Sequence, residues 1–279
     1  MNTRQNISIT PRGQRFLYPA VFGVACFLFI FSWYQLHLNL NGSWENILKA
    51  FSFMLRMFQM DCSDWQDVLI AAGQSISVAV LATIISASFA FLVSFFAALN
   101  VSYKPLAHLC KSMVAAIRAV PTLIWTLIFV AYLGLGPFPG VLGLCFHSFA
   151  YLVKAFSQSI EDVKEENIEA LKATGASWIQ IMAQGVFPPI QTAVISWTAL
   201  RFEFNVGMST ILGFVGAGGI GHELTLTMRS YAFEKSGFVV LVIFLMSFSI
   251  EMLFHRFKLN VDKNRFQDRD SGKKQSNNR

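Results

Sequence analysis

The segment VGAGGIG (215–221) holds Gly216, Gly218, Gly219 and Gly221, and three of them satisfy the G-x-G-x-x-G spacing that cradles a dinucleotide pyrophosphate. That chemistry needs a strand before the glycines, a helix after them in a βαβ unit, and an acidic residue about 20 positions on for the ribose. The preceding run, SWTALRFEFNVGMSTILGF, shows no strand alternation bounded by turns, and no carboxylate stands between Glu234 and Glu251. The glycines therefore need another explanation, and the polar residues around them set its terms.

Arg201, Glu203 and Asn205 fall in an otherwise apolar stretch that begins at Pro188. At 1.5 Å per residue, Arg201 and Glu203 sit roughly 20 Å along a helix starting there. On such a helix Arg201 and Asn205 share a face and Glu203 lies on another. Arg201 can attract an anion along a path, or Arg201 and Glu203 can be satisfied by neighbouring helices or a second subunit. Arg118, three residues before Pro121, is expected at the inner end of its helix, where it reaches the headgroups or lines a path. His147 has apolar neighbours and is expected to bond across helices. Five scattered histidines supply no convergent acid, base, nucleophile or metal set. Cys26, Cys62, Cys110 and Cys145 are too far apart for a metal knuckle or a disulfide framework.

The elements that position these groups are membrane helices. Hydrophobic residues make up 54% of the 279, charged residues only 14%, and the mean hydropathy is +0.50. Soluble domains carry about 25% charged residues. Residues 16–36 form an apolar run long enough to span a bilayer, without the small-x-small pattern of a cleaved signal, and are expected to remain as a helix. Further spans are expected at 68–102, 112–133, 141–160, 188–215 and 237–254, the third and fourth parted by GLGPFPG (134–140). The fold class is all-α, a polytopic membrane helix bundle of about six transmembrane helices.

Six spans put both termini on one side. Arg4, Arg12 and Arg15, the loop with Lys104, Lys111 and Arg118, and the basic tail then fall together in the cytoplasm, while loop 37–67 with its carboxylates falls outside. The net charge of +6 gathers in these segments and suits membrane anchoring rather than nucleic acid, so no nucleic-acid partner is expected. The organisation is an N-terminal end with first helix and external loop (1–67), a core (68–256) with a cytoplasmic loop at 161–187, and a polar tail (257–279) expected to be disordered.

The cytoplasmic loop breaks the basic trend with Glu161, Asp162, Glu165, Glu166 and Glu169. EENIEALKAT reads as a short helix stopped at Gly175, and SWIQIMAQGVF as a second one at the interface, leading to Pro188. This loop resembles the EAA loop of permease subunits of ATP-binding-cassette importers: E-A-A, three residues, G, nine residues, I-x-L-P. Glu169, Ala170, Gly175 and Pro188 match at the right spacing, whereas Leu171, Gly185 and Phe187 depart from it, the last two at positions expected to pack against the membrane. The resemblance implies a type I importer permease fold and a coupling helix that docks in a groove of an ATPase.

Residues 68–255 resemble the phosphonate branch of that superfamily, through the R-A start at Arg118, G-L-G-P-F, the intramembrane His147, and RFEFNVG with VGAGGIG. Gly207 replaces a second arginine of that pattern. This resemblance implies a subunit of the bacterial inner membrane, paired with a second copy, with an ATPase dimer that binds ATP and Mg, and with an external phosphonate-binding protein. Membrane lipid is a further expected partner, no cofactor is expected on this chain, and no G-x-x-x-x-G-K-[ST] occurs in it. The implied cargo is a phosphonate or related oxyanion such as phosphite or a phosphate ester. Methionine or glycine betaine import is the alternative, and a secondary transporter or a membrane enzyme are readings of other classes. On this reading Gly216, Gly218, Gly219 and Gly221 break the helix near a gate.

Overall fold

The structure, a computed structural model, describes residues 17–36 and 43–277. Arg4, Arg12 and Arg15 lie outside the described residues, as do residues 37–42 of the expected external loop. The chain divides into two compact units, Met1–Leu55 and Arg56–Arg279. In the first, α1 (Leu17–Gln35) is apolar along its length with every side chain exposed, as a lipid-facing helix requires. The loop expected at 37–67 contains a second helix, α2 (Ser43–Met57). Its signal was Ile47, Leu48, Phe51, Met54 and Leu55, an apolar stripe at helical spacing with Lys49, Ser52 and Arg56 off it.

The second unit is built on α3 (Trp65–Ala97), which packs most extensively on α6 (Pro137–Glu161). Its buried face carries small residues, among them Ala71, Ser75, Ala79, Ala82, Ser86 and Ala90, so neighbouring backbones approach closely. The expected single span at 112–133 is corrected: α4 (Lys104–Ala119) and α5 (Thr122–Leu133) meet at an 80° bend. Pro121 explains the bend, since the residue before a proline is driven out of the helical region, and Val120 is extended at φ −90°, ψ 123°. Gly134 and Gly136 turn the chain into α6, whose Pro137 and Pro139 sit in the first turn, where a missing N–H costs nothing.

After α6 come α7 (Glu165–Ala173), a single turn α8 (Trp178–Gln180), a π-helical stretch at Ile181–Val186, and α9 (Phe187–Gly213). A helix missed in the sequence, α10 (Ile220–Arg229), follows the glycine segment, and α11 (Phe233–Asn277) closes the chain. Where a disordered tail was expected, α11 continues to Asn277. The tail contains no proline, and extending a nucleated helix costs little per residue. By length and composition α1, α3, α6 and Phe233–Phe254 of α11 can cross a membrane, and the bent α4–α5 pair passes the same test together. The remaining expected span is α9, 27 residues or about 40 Å, long enough but interrupted by Arg201 and Glu203.

Candidate functional site

Midway along α9, Arg201 is 3% exposed. Its Nε donates to Ser148 Oγ at 2.8 Å and its Nη2 donates to His147 Nδ1 at 2.8 Å. An arginine has no acceptor, so His147 takes this bond with a bare Nδ1 and carries its proton on Nε2. Ser148 Oγ donates in turn to Asn205 Oδ1 (2.9 Å), Asn205 Nδ2 donates to Thr83 Oγ1 (2.9 Å), and Thr83 donates to the Ala79 carbonyl (2.7 Å). The bonds run in one direction from Arg201 across α6 and α9 to α3, and each link polarises the next.

No carboxylate among the described residues balances this charge. Glu203 is only half-buried, on the other face of α9 as the helical spacing required, and forms no ion pair with Arg201 among the described residues. The guanidinium instead lies against two aromatic faces, Phe204 at 4.5 Å and Tyr151 at 5.2 Å. Of its five N–H donors, those on Nη1 find no acceptor among the described residues. Arg118 is half-buried at the α4–α5 bend, its guanidinium carbon 5.9 Å from the centroid of the same Tyr151 ring. The structure thus gathers Arg201, His147 and Asn205 into one network, brings Arg118 to its edge, and leaves Glu203 out. Ser148, Tyr151 and Thr83 were missed. Tyr151 stands four residues after His147, a spacing that could have revealed it, whereas Thr83 lies in a run of small and apolar residues with no local signal.

At one end of α9 is the segment expected as the cytoplasmic loop. Ile168 of α7 is buried with Ile160, Ile181, Met182, Val186 and Phe95 in one apolar cluster, which roots the segment in the bundle. Glu169, Ala170, Gly175 and Pro188 are all exposed. Gly175 has φ +79°, the left-handed conformation that its place as a helix stop requires, and its surroundings are open. Trp178 stacks on Phe96 at 5.8 Å and donates to the Val101 carbonyl at 2.9 Å, so the second helix is fastened to the end of α3.

Two departures from the EAA pattern explain each other. Gly185 is buried rather than facing the membrane, and a Cβ there would run into the end of the Leu171 side chain. The pattern has a small residue at the first position and isoleucine at the second; here the larger side chain stands at 171 and none at 185, so the volume is exchanged across the contact. Phe187 meets Phe91 edge-on at 5.7 Å.

The glycine segment lies at the other end of α9. Gly216, Gly218 and Gly219 have φ of 89°, 71° and 72°. The N–H groups that a pyrophosphate would need are already occupied: Gly219 N donates to Gln74 Oε1 (2.8 Å) and Ile220 N to Ser75 Oγ (3.0 Å). Gly216 O accepts from Gly136 N at 2.9 Å, pinning the two reversals together. Gly221 is pressed against the Thr210 carbonyl, which a side chain would overlap. The helix break expected here is present at 214–219, between α9 and α10.

Comparison with known proteins agrees with this geometry. Residues 90–266 match the family described as binding-protein-dependent transport system inner membrane component. HtxC of Stutzerimonas stutzeri, named for a phosphite transport system permease, is 33% identical over 81% of each chain. The phosphite transport system permease protein PtxC of the same organism is 36% identical over 62% of this chain and 63% of its own. The phosphate-import permease protein PhnE of Mycolicibacterium smegmatis is 35% identical over 67% of this chain and 35% of its own. Among solved structures, the membrane chain of the MetNI methionine transporter in an inward-facing conformation superposes with a TM-score of 0.61 at 15% identity, over 72% of this chain and 98% of that one. An amino acid ABC transporter gives 0.58 at 18% identity, over 70% and 95%. Such a family implies an ATPase and a substrate-binding protein as partners. The chain belongs to the binding-protein-dependent inner membrane component family and is the transmembrane permease subunit of an importer of the ATP-binding-cassette type.

Proposed function

We propose that this permease passes a small phosphorus oxyanion, phosphonate or phosphite, along a path that includes Arg201. Supporting this reading is the buried guanidinium with neutral partners and unspent Nη1 donors. A charge at the bilayer centre costs at least about 2.5 kcal/mol, and an arriving anion offsets that cost where no carboxylate does. His147 and Asn205 orient the arginine, Arg118 continues the path, and the break at Gly216, Gly218 and Gly219, with Gly221 just inside α10, is the gate. The names of the relatives favour this cargo over methionine or glycine betaine.

An external binding protein delivers the anion to a homodimer of this chain. A dimer of ATPase subunits, which hold ATP and Mg, drives the gate through the segment bearing Glu169, Ala170, Gly175 and Pro188. Both termini lie in the cytoplasm. Uptake of labelled phosphite and methylphosphonate by the complex in vesicles tests the cargo: Arg201→Gln should abolish it while the complex still assembles, and normal uptake in that variant refutes the path. With single cysteines in a cysteine-free chain, an impermeant thiol reagent outside intact cells should label Ser63→Cys and spare Ser271→Cys. Labelling of both refutes the topology.

A further inference from the structure

Near the coupling end of the bundle, a cavity of about 230 Å3 opens between α4 and α6. Lys111, Arg118 and Lys154 line it, with Glu161, Gln158 and an apolar wall that includes Val114. Glu161 is the cavity's single carboxylate and it is already engaged, because its Oε1 accepts from Lys111 Nζ at 2.6 Å and from the Leu99 N–H at 2.8 Å. Arg118 and Lys154 form no ion pair among the described residues, and no side-chain hydrogen bond of either appears there. Two unmatched cations therefore share one small space with a third that is held in place by its carboxylate. Apolar walls strengthen the field they create, because low-dielectric surroundings focus it.

We infer that this cavity is a second anion site, and that it takes a tetrahedral phosphoryl or phosphonyl group. The cations come from two helices and approach from different directions, which suits an anion with several oxygens better than a flat carboxylate. Gln158 adds a neutral amide donor. The site's position gives it a role: the Tyr151 ring contacts the Arg201 guanidinium at 5.2 Å and that of Arg118 at 5.9 Å, so positive charge leads from mid-bundle to this cavity. An anion leaving Arg201 meets this cavity one aromatic ring away. Only the chemical class of the occupant and this direction of travel rest on the proposed path at Arg201; the cavity and its charge stand apart from it. A lipid headgroup offers the same phosphoryl chemistry, and the experiment separates the two sources.

The test is thiol protection. In a chain whose native cysteines are replaced, Ala115→Cys places a thiol in the cavity wall, and its alkylation by a neutral maleimide is followed in the assembled complex in phosphatidylcholine nanodiscs. Inorganic phosphite or phosphate should slow the reaction, and Lys154→Gln should weaken that protection about tenfold, the scale of one charge-assisted hydrogen bond. Protection that appears only when phosphatidylglycerol is added assigns the site to a headgroup. Alkylation unaffected by phosphite, phosphate and phosphatidylglycerol alike, or slowed equally by chloride at matched ionic strength, overturns the site. Because occupancy of the cavity is read without transport, a chain that fails to import phosphite but shows protection keeps this site and loses the Arg201 path, and the converse result does the opposite.

Discussion

The polar network at Arg201 and the exposed segment around Gly175 are tied to opposite requirements. Around Arg201, side chains from α3, α6 and α9 satisfy one another in sequence, so each depends on the rest. In the Glu165–Pro188 segment the buried residues are purely apolar, and the matching residues Glu169, Ala170 and Gly175 face outward with little to hold. The first region joins function to stability, because an orphaned buried group carries a desolvation cost. The second separates them, since its outward residues make few internal contacts and, on the proposed function, offer their shape to a partner.

Asn205→Leu should break that contrast most severely. It leaves the Ser148 hydroxyl without its acceptor and removes the donor to Thr83, at about 1–3 kcal/mol for each orphaned group. A lowered denaturation midpoint in detergent, together with lost uptake, is the expected result; an unchanged midpoint would show that the network does not hold the helices. Gly175→Val comes next and acts in the opposite manner. A β-branched residue at φ +79° is strained by about 1–3 kcal/mol. The strain is local and solvent-facing, so the protein should insert and keep its midpoint near that of the parent. Stimulation of the ATPase by loaded binding protein should vanish, and full stimulation would detach this segment from coupling.

A third substitution sharpens the boundary between the two regions. Gly185→Ile should cost about 1–3 kcal/mol by overpacking Leu171, and adding Leu171→Ala should recover most of that loss, measured by the same midpoint. Additive losses would mean that the two side chains do not share the space. Glu169→Ala should be milder, lowering ATPase stimulation without abolishing it, because an exposed carboxylate contributes little.

The smallest effect concerns Asp61, on the connection before α3. The Ser63 backbone N–H donates to Asp61 Oδ1 at 2.9 Å and holds its carboxyl below the ordinary value of 3.8. A depressed folded pKa gives a contribution that is whole above 3.8 and fades as pH falls through the lowered value. Hydrogen exchange at the Ser63 amide should quicken, relative to an unstructured peptide at the same pH, slightly and only under such acid, and Asp61→Asn should remove that change.

How far the sequence revealed each region follows from the range of the contacts. The Gly175 segment was legible because its rules are local: a helix stop, a proline at a helix start, and fixed spacing between them. Arg201 and Asn205 were legible as one face of one helix for the same reason. Their partners were not, since Ser148 and Thr83 lie 53 and 122 residues from the groups they meet, and no periodicity joins them. The bend at Pro121 was hidden differently. An apolar run on both sides of the proline concealed a break that the residue itself announces. Likewise, α2 has a clear apolar stripe, but it is short and set among charged residues in the stretch between two spans.

The hydrogen bonds at the start of α10 also impose a timetable. Gln74 and Ser75 wait for Gly219 and Ile220, which are 145 residues later in the chain. At about 5–20 residues per second, synthesis takes roughly 7–30 s to produce those partners. During that interval α3 has α6 to pack against well before α10 exists, so that part of the scaffold is laid down first and the glycine segment fastens onto it later, ahead only of α11. A nascent chain arrested before Gly219 should hold its α3–α6 contact while leaving Gln74 and Ser75 open to water.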